Sequence, residues 1–140
     1  MSDETDFHAF NAGVVEQFRA SDGQVGGDFA GWPLVLIPHR GAKSGKEYTT
    51  PLVYTRDGDN VVIIASMGGA PENPQWFRNL QANPDITVEA GADTYPARAR
   101  VAQGEERERL YRAQADLFPN FDEYAAKTTR AIPVVVLERV

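Results

Sequence analysis

Two of the three lysines in this 140-residue chain lie in one six-residue stretch, Gly41-Ala42-Lys43-Ser44-Gly45-Lys46, with Arg40 before it and no acid until Glu47. Glycines let backbone N–H groups converge, lysines supply charge, and a serine adds a hydroxyl donor. The set suits a phosphate or carboxylate better than a protein core, and on these residues alone a solvated turn stands as an equal alternative. It is not a Walker A loop. Three residues separate Gly41 from Gly45, Lys46 precedes Glu47, and Tyr48-Thr49-Thr50-Pro51 reads as strand rather than helix.

A second stretch with chemical capacity is Ser66-Met67-Gly68-Gly69, which leads through Asn73-Pro74 into Gln75-Trp76-Phe77-Arg78-Asn79-Leu80. Amide groups at a helix start form an anion site. Trp76 and Phe77 offer ring surface there, or core anchors; Arg78 adds a guanidinium one turn along, or a solvated charge. Other chemistries are excluded by composition. Without cysteine there is no disulfide, thiolate site or cysteine nucleophile. His8 and His39 have no second histidine at metal-ligand spacing, so no metal site is expected. No Gly-x-Ser-x-Gly elbow is present. A net charge of −6 argues against broad binding to nucleic acid or anionic lipid. The acidic N-terminus lacks an apolar signal region, and no apolar run reaches membrane-span length, so a cytoplasmic protein is expected.

The elements that must position these residues follow from periodicity and turn chemistry. Phe7, Phe10, Val14 and Phe18 predict an amphipathic helix to about Ser21, followed by a glycine-rich loop. Leu34–Ile37 reads as a strand stopped by Pro38, and Tyr48 to Thr55 as a second whose Pro51 implies an edge or bulge. A hairpin turn over residues 56–60 returns the chain through Val61–Ala65, folding Ser66 towards Thr49 and Lys43. Asn73 can cap a helix over Gln75–Gln81, with Pro74 in its first turn. Ile86–Ala90 and Thr94–Val101 pair around Gly91-Ala92-Asp93. Glu105–Leu117 is a helix with Leu110, Tyr111, Ala113, Gln114 and Leu117 on its apolar stripe, and Phe121–Thr128 a short one. Ile132–Glu138 is apolar enough for a central strand. Six strands and three or four helices joined mostly by hairpins give an α+β fold with a small antiparallel barrel. One domain is expected over residues 1–140: an N-terminal helix and loop to residue 24, then a barrel core from 25.

The ordered set Gly41-Ala42-Lys43-Ser44-Gly45, Pro51-Leu52, Ala65-Ser66 with Gly68-Gly69, Asn73-Pro74-Gln75-Trp76-Phe77, Asn79-Leu80, Ala82-Asn83-Pro84 and Ile132-Pro133-Val134-Val135-Val136 resembles the deazaflavin-dependent nitroreductase family. Its members are split β-barrel proteins, FMN-binding-like in architecture, that bind coenzyme F420 and reduce quinones or nitro compounds. The resemblance implies an oxidoreductase passing hydride from reduced F420 to a flat apolar acceptor. It places Ala42, Lys43 and Ser44 on the coenzyme's phosphate, and Tyr48, Thr49, Thr50, Pro51 and Leu52 on the adjoining edge. Ala65, Ser66, Met67 and Gly68 would line the ring. Gln75, Trp76, Phe77, Arg78 and Asn79 would supply the helix start near the anionic tail. Tyr124 matches a tyrosine over the substrate and, with Ser66, is the implied catalytic pair.

The chain also departs from the family pattern. Ala42 stands where arginine is frequent and Met67 where lysine is, while Phe118 and Phe121 replace hydroxyl-bearing rings. FMN, also a phosphate, fits much of the same logic, and a split barrel that binds FMN, haem or another redox ligand without turnover is the competing reading. Homodimerisation and peripheral membrane association stay open.

Overall fold

The computed structural model describes residues 13–21, 33–66, 73–91, 93–129 and 131–140. Helix α1 covers residues 13–20 of that range and buries Val14 and Phe18. The strands are β1 (Leu34–Arg40), β2 (Glu47–Val53), β3 (Thr55–Asp57), β4 (Asn60–Ile64), β5 (Asp85–Ala90), β6 (Asp93–Val101) and β7 (Val134–Arg139). The remaining helices are α2 (Gln75–Ala82), α3 (Gly104–Leu117) and α4 (Asn120–Lys127). Phe7, His8, Phe10, Met67 and Gly68 lie outside the described residues.

All seven strands join one antiparallel sheet in the order β2-β1-β5-β6-β7-β4-β3. Alternation along the strands divides the core. Val35 and Ile37 of β1, Val61 and Ile63 of β4, and Val135 and Leu137 of β7 share one face with Trp76, Phe77 and Leu80 of α2. Val62, Ile64, Val134 and Val136 face the other way, against Leu110, Tyr111, Ala115 and Phe121 of α3 and α4. On that same β1 alternation Leu34 and Leu36 meet Val14 and Phe18 of α1. β7 is paired on both sides and buried over four successive residues, as its apolar run predicts.

Pro38 does not stop β1. The ladder continues to Arg40, with Pro38 opposite Thr49. Gly41 N–H donates to Lys46 O and Tyr54 N–H to Pro33 O, which places odd-numbered β1 residues in hydrogen-bonded pairs with even-numbered β2 residues. Pro38 therefore turns its missing donor away from β2, on a side where pairing with β5 has already ended at Leu36. By the same parity Pro51 faces outward from β2, which is an edge strand as its proline implies.

The strand expected over Tyr48–Thr55 is one continuous run divided by Tyr54. Its first part pairs with β1 and its last three residues pair with β4. The sheet thus curls until one strand touches both of its ends, a half-barrel. Above Val62, no ladder joins β2 to β4 among the described residues. Extending the β3–β4 register across that seam sets Pro51 level with Ser66.

Smaller differences have local causes. Pro74, not Asn73, occupies the N-cap of α2, with no side-chain cap bond. The β5–β6 turn uses two residues, because Ala90 pairs with Asp93. In α3 the buried stripe is Leu110, Tyr111, Gln114 and Ala115; Ala113 and Leu117 are exposed, since the helix lies over β3 and β7 along a line one residue round from the expected one.

Candidate functional site

Strand directions bring the chemically capable loops to one end of the sheet. Four antiparallel pairings in succession, β1 to β5 to β6 to β7 to β4, make β1 and β4 run in the same direction, so Gly41 and Ala65 leave the sheet at the same end. The 41–46 turn, Ser66, and the start of β7 at Val134 therefore belong to one rim. Ala65 N–H donates to Pro133 O at 2.9 Å, which ties two of these together.

The basic turn is built by short-range bonds. Gly45 N–H donates to Gly41 O at 3.0 Å, Gly41 N–H to Lys46 O at 2.8 Å, and Lys46 N–H to Ser44 Oγ at 3.2 Å. Gly45 has φ +71°, a conformation that glycine adopts without steric cost. At Gly41 a Cβ would stand 2.5 Å from Ser44 Oγ, so any larger residue must displace that hydroxyl from the turn. Ala42, Lys43, Ser44, Gly45 and Lys46 are exposed. Neither lysine forms an ion pair among the described residues, whereas Arg40 is paired with Glu47 at 3.3 Å. The Lys43 and Ser44 amides have no acceptor among the described residues, so two adjacent N–H groups and two ammonium groups stand without a partner there, on exposed residues. That donor set fits a phosphodiester or carboxylate.

The turn meets the helix start directly. Ala42 N–H donates to Asn79 Oδ1 at 3.0 Å, and Gln75 Nε2 donates to the same oxygen at 3.1 Å. Asn79 Nδ2 lies 2.8 Å from His39 Nδ1, and His39 Nε2 lies 2.8 Å from Thr50 Oγ1. The His39 ring stacks on Tyr48 with centroids 5.6 Å apart. Asn83 Nδ2 reaches Arg40 O at 3.4 Å. Asn79 is fully buried and His39 nearly so.

Of the residues expected around a coenzyme, the structure gathers Ala42, Lys43, Ser44, Tyr48, Thr50, Gln75 and Asn79 here. Trp76 and Phe77 point into the core, at 6% and 5% exposure. Arg78 is exposed, and Leu52 packs partly buried against the same core. Thr49 and Pro51 lie on the opposite face of β2, at the open seam. Ala65 is buried in the inner cluster, and Ser66, also buried, continues the alternation of Val62 and Ile64 onto the other face.

Tyr124 is on that other face too. It packs against the outer cluster, edge-on to Phe121 at 5.3 Å, and its hydroxyl oxygen accepts a hydrogen bond from Asn120 Nδ2 at 2.7 Å. Its own proton has no acceptor among the described residues. Phe118 packs partly buried beside it. The anion-competent turn and the tyrosine thus lie on two sides of the sheet that meet at one rim.

Sequence reading passed over His39. The available signal was its place at two-residue spacing after Val35 and Ile37, on the same face of the strand, where a buried histidine requires partners.

Comparison with known proteins adds an independent line. Residues 12–139 match the family model described as F420H(2)-dependent quinone reductase. A Mycobacterium tuberculosis protein, Rv3178, named provisionally as an F420H(2)-dependent quinone reductase, is 46% identical over 105 residues, 75% of this chain and 88% of the relative. A solved F420-H2 dependent reductase, FDR-A, superposes with a TM-score of 0.70 at 39% identity, covering 76% of this chain and 94% of its own. A solved domain-swapped dimer superposes at 0.72 with 34% identity, covering 96% of this chain and 99% of that one.

Proposed function

Because the chain belongs to the F420H(2)-dependent quinone reductase family, we propose that it is an oxidoreductase using reduced coenzyme F420, with a quinone, a nitroaromatic or a similar flat apolar molecule as acceptor. The coenzyme, when bound, supplies the hydride; the protein supplies position, electrostatics and a proton. Lys43 and Lys46, with the Lys43 and Ser44 amides, hold the anionic phosphate and tail. Thr49, Pro51 and Ser66 border the ring across the open seam. Trp76 and Phe77 support the site from the core, fixing α2 rather than touching ligand. Tyr124 donates the proton: its hydroxyl accepts from Asn120, which stabilises the oxygen as the proton departs. A homodimer is part of this reading, supported by the relative solved as a swapped dimer.

The observation that carries the proposal is the pair of lysines and adjacent amides that have no partner among the described residues, anchored to α2 through Ala42 and Asn79. The experiment is to mix the protein with reduced F420 and menadione and follow recovery of the oxidised deazaflavin band. Enzyme-dependent recovery is expected, and Lys43→Ala raises the coenzyme KM about tenfold, the worth of one charge-assisted contact. Recovery no faster than the uncatalysed rate with every quinone and nitro acceptor, or tight binding of FMN in place of F420, overturns it. Light scattering at the mass of two chains is expected; a monomer removes the dimer from the reading.

A further inference from the structure

We propose that His39 and Asn79 are positioning residues that set the shape of the anion-binding turn, with His39 held as a neutral imidazole carrying its proton on Nε2; the ligand named rests on the F420 reading above.

The argument starts from a donor that cannot change roles. Ala42 N–H can only donate, so the atom of Asn79 that it meets at 3.0 Å is the oxygen. Gln75 Nε2 donates to that oxygen as well. The other end of the carboxamide is then NH2, which also only donates, and it faces His39 Nδ1 at 2.8 Å. Nδ1 must therefore accept and carry no proton. The ring's proton sits on Nε2, 2.8 Å from Thr50 Oγ1, which accepts it. One backbone amide thus fixes an amide orientation, the amide fixes a histidine tautomer, and the tautomer fixes a threonine hydroxyl.

The hub joins β1, β2 and α2 at the residue that precedes Lys43 and Ser44. Asn79, fully buried, has both ends committed to protein partners, so its side chain is not a ligand contact. Its effect on the coenzyme passes through Ala42: where Ala42 N is pinned, the next two amides point outward. A second proton on His39 would set N–H against N–H, and the Asn79 amide could relieve it only by flipping away from Ala42.

The test uses three variants and two readouts. In the free wild-type protein at neutral pH, nitrogen NMR of the two histidines should show an unprotonated Nδ1 for the ring that responds to substitution of Asn79. Asn79→Asp keeps the oxygen for Ala42 but faces His39 with a carboxylate, so His39 becomes doubly protonated. Asn79→Leu removes the anchor. It should raise the coenzyme KM by ~10-fold or more while kcat at saturating coenzyme and the acceptor KM stay within about twofold. His39→Gln, whose carboxamide can accept from Asn79 and donate to Thr50, should keep the coenzyme KM near wild type. Thermal unfolding checks that each variant is folded.

A protonated Nδ1 in the wild type, or a folded Asn79→Leu whose coenzyme KM is unchanged, overturns the proposal. Absence of F420 turnover by the wild type overturns the functional reading instead. In that case the Lys43 and Ser44 amide shifts of the free protein decide the positioning claim, which fails if Asn79→Leu leaves them unmoved.

Discussion

At the scale of single residues, the basic turn depends on contacts smaller than its charge suggests. Gly41 is held open by the Ser44 hydroxyl, which accepts the Lys46 N–H. Gly41→Ala must push that oxygen aside and forfeit its bond, a cost of about 1 kcal/mol. In a Ser44→Ala background the oxygen is already gone, so the same substitution should cost almost nothing. A double-mutant cycle by denaturant unfolding measures this, and purely additive costs would refute the contact. The turn's glycine and lysine content was legible in the sequence. The hub beneath it was not, because His39 and Asn79 are 40 positions apart and only the fold brings their nitrogens to 2.8 Å. Asn79 did leave a trace: it falls on the buried stripe of α2 with Trp76 and Leu80, where a carboxamide must be fully bonded.

At the scale of elements, α3 and α4 are tied to each other and to the sheet by arginine pairs. Arg112 bridges Asp116 and Asp122, Arg109 reaches Asp57 of β3, and Arg100 of β6 holds Glu106. Hydrogen bonds from these guanidinium groups depress Asp122 and Asp57 below their ordinary 3.8 and Glu106 below 4.5. A carboxylate depressed in the fold stabilises it above the unfolded value, and that contribution disappears as pH falls through the folded value. The contribution of these three pairs to the unfolding midpoint should therefore hold from neutral pH down to about 4.5, then fall as Glu106, Asp57 and Asp122 are protonated. The decline is shallow because these pairs lie at the surface. Asp122→Asn should be slightly less stable at neutral pH and show a gentler acid limb; a profile superimposable on wild type would refute the α3–α4 tie. Element types were legible from periodicity, including the short α4. Their faces were less so: the apolar stripe of α3 was read through Ala113 and Leu117, whereas the structure buries Ala115, an alanine that sequence alone does not distinguish from Ala113.

At the scale of the whole molecule, an antiparallel barrel was readable from hairpins and turn chemistry, but its seam was not. Nothing local to Tyr54 says that the strand changes partner there, because the partners, β1 and β4, are defined only by the completed sheet. Parity along β2 gives a direct check. Tyr48, Thr50 and Leu52 donate to β1, whereas Thr49 and Val53 turn their amides to the open side. Hydrogen exchange should alternate along this strand, slow at the first three and fast at the other two, with the buried interior of β4 and β7 slowest of all. Uniform protection along β2 would mean that the seam is zipped in solution.

Pro51 lies in the middle of that outward row. A bare strand edge offers its donors to any extended segment that drifts past, another copy of the same chain included. One missing donor breaks the row into pieces too short to template growth. The open seam proposed above to border the coenzyme ring is therefore also guarded against strand-to-strand growth, by the least reactive side chain on it.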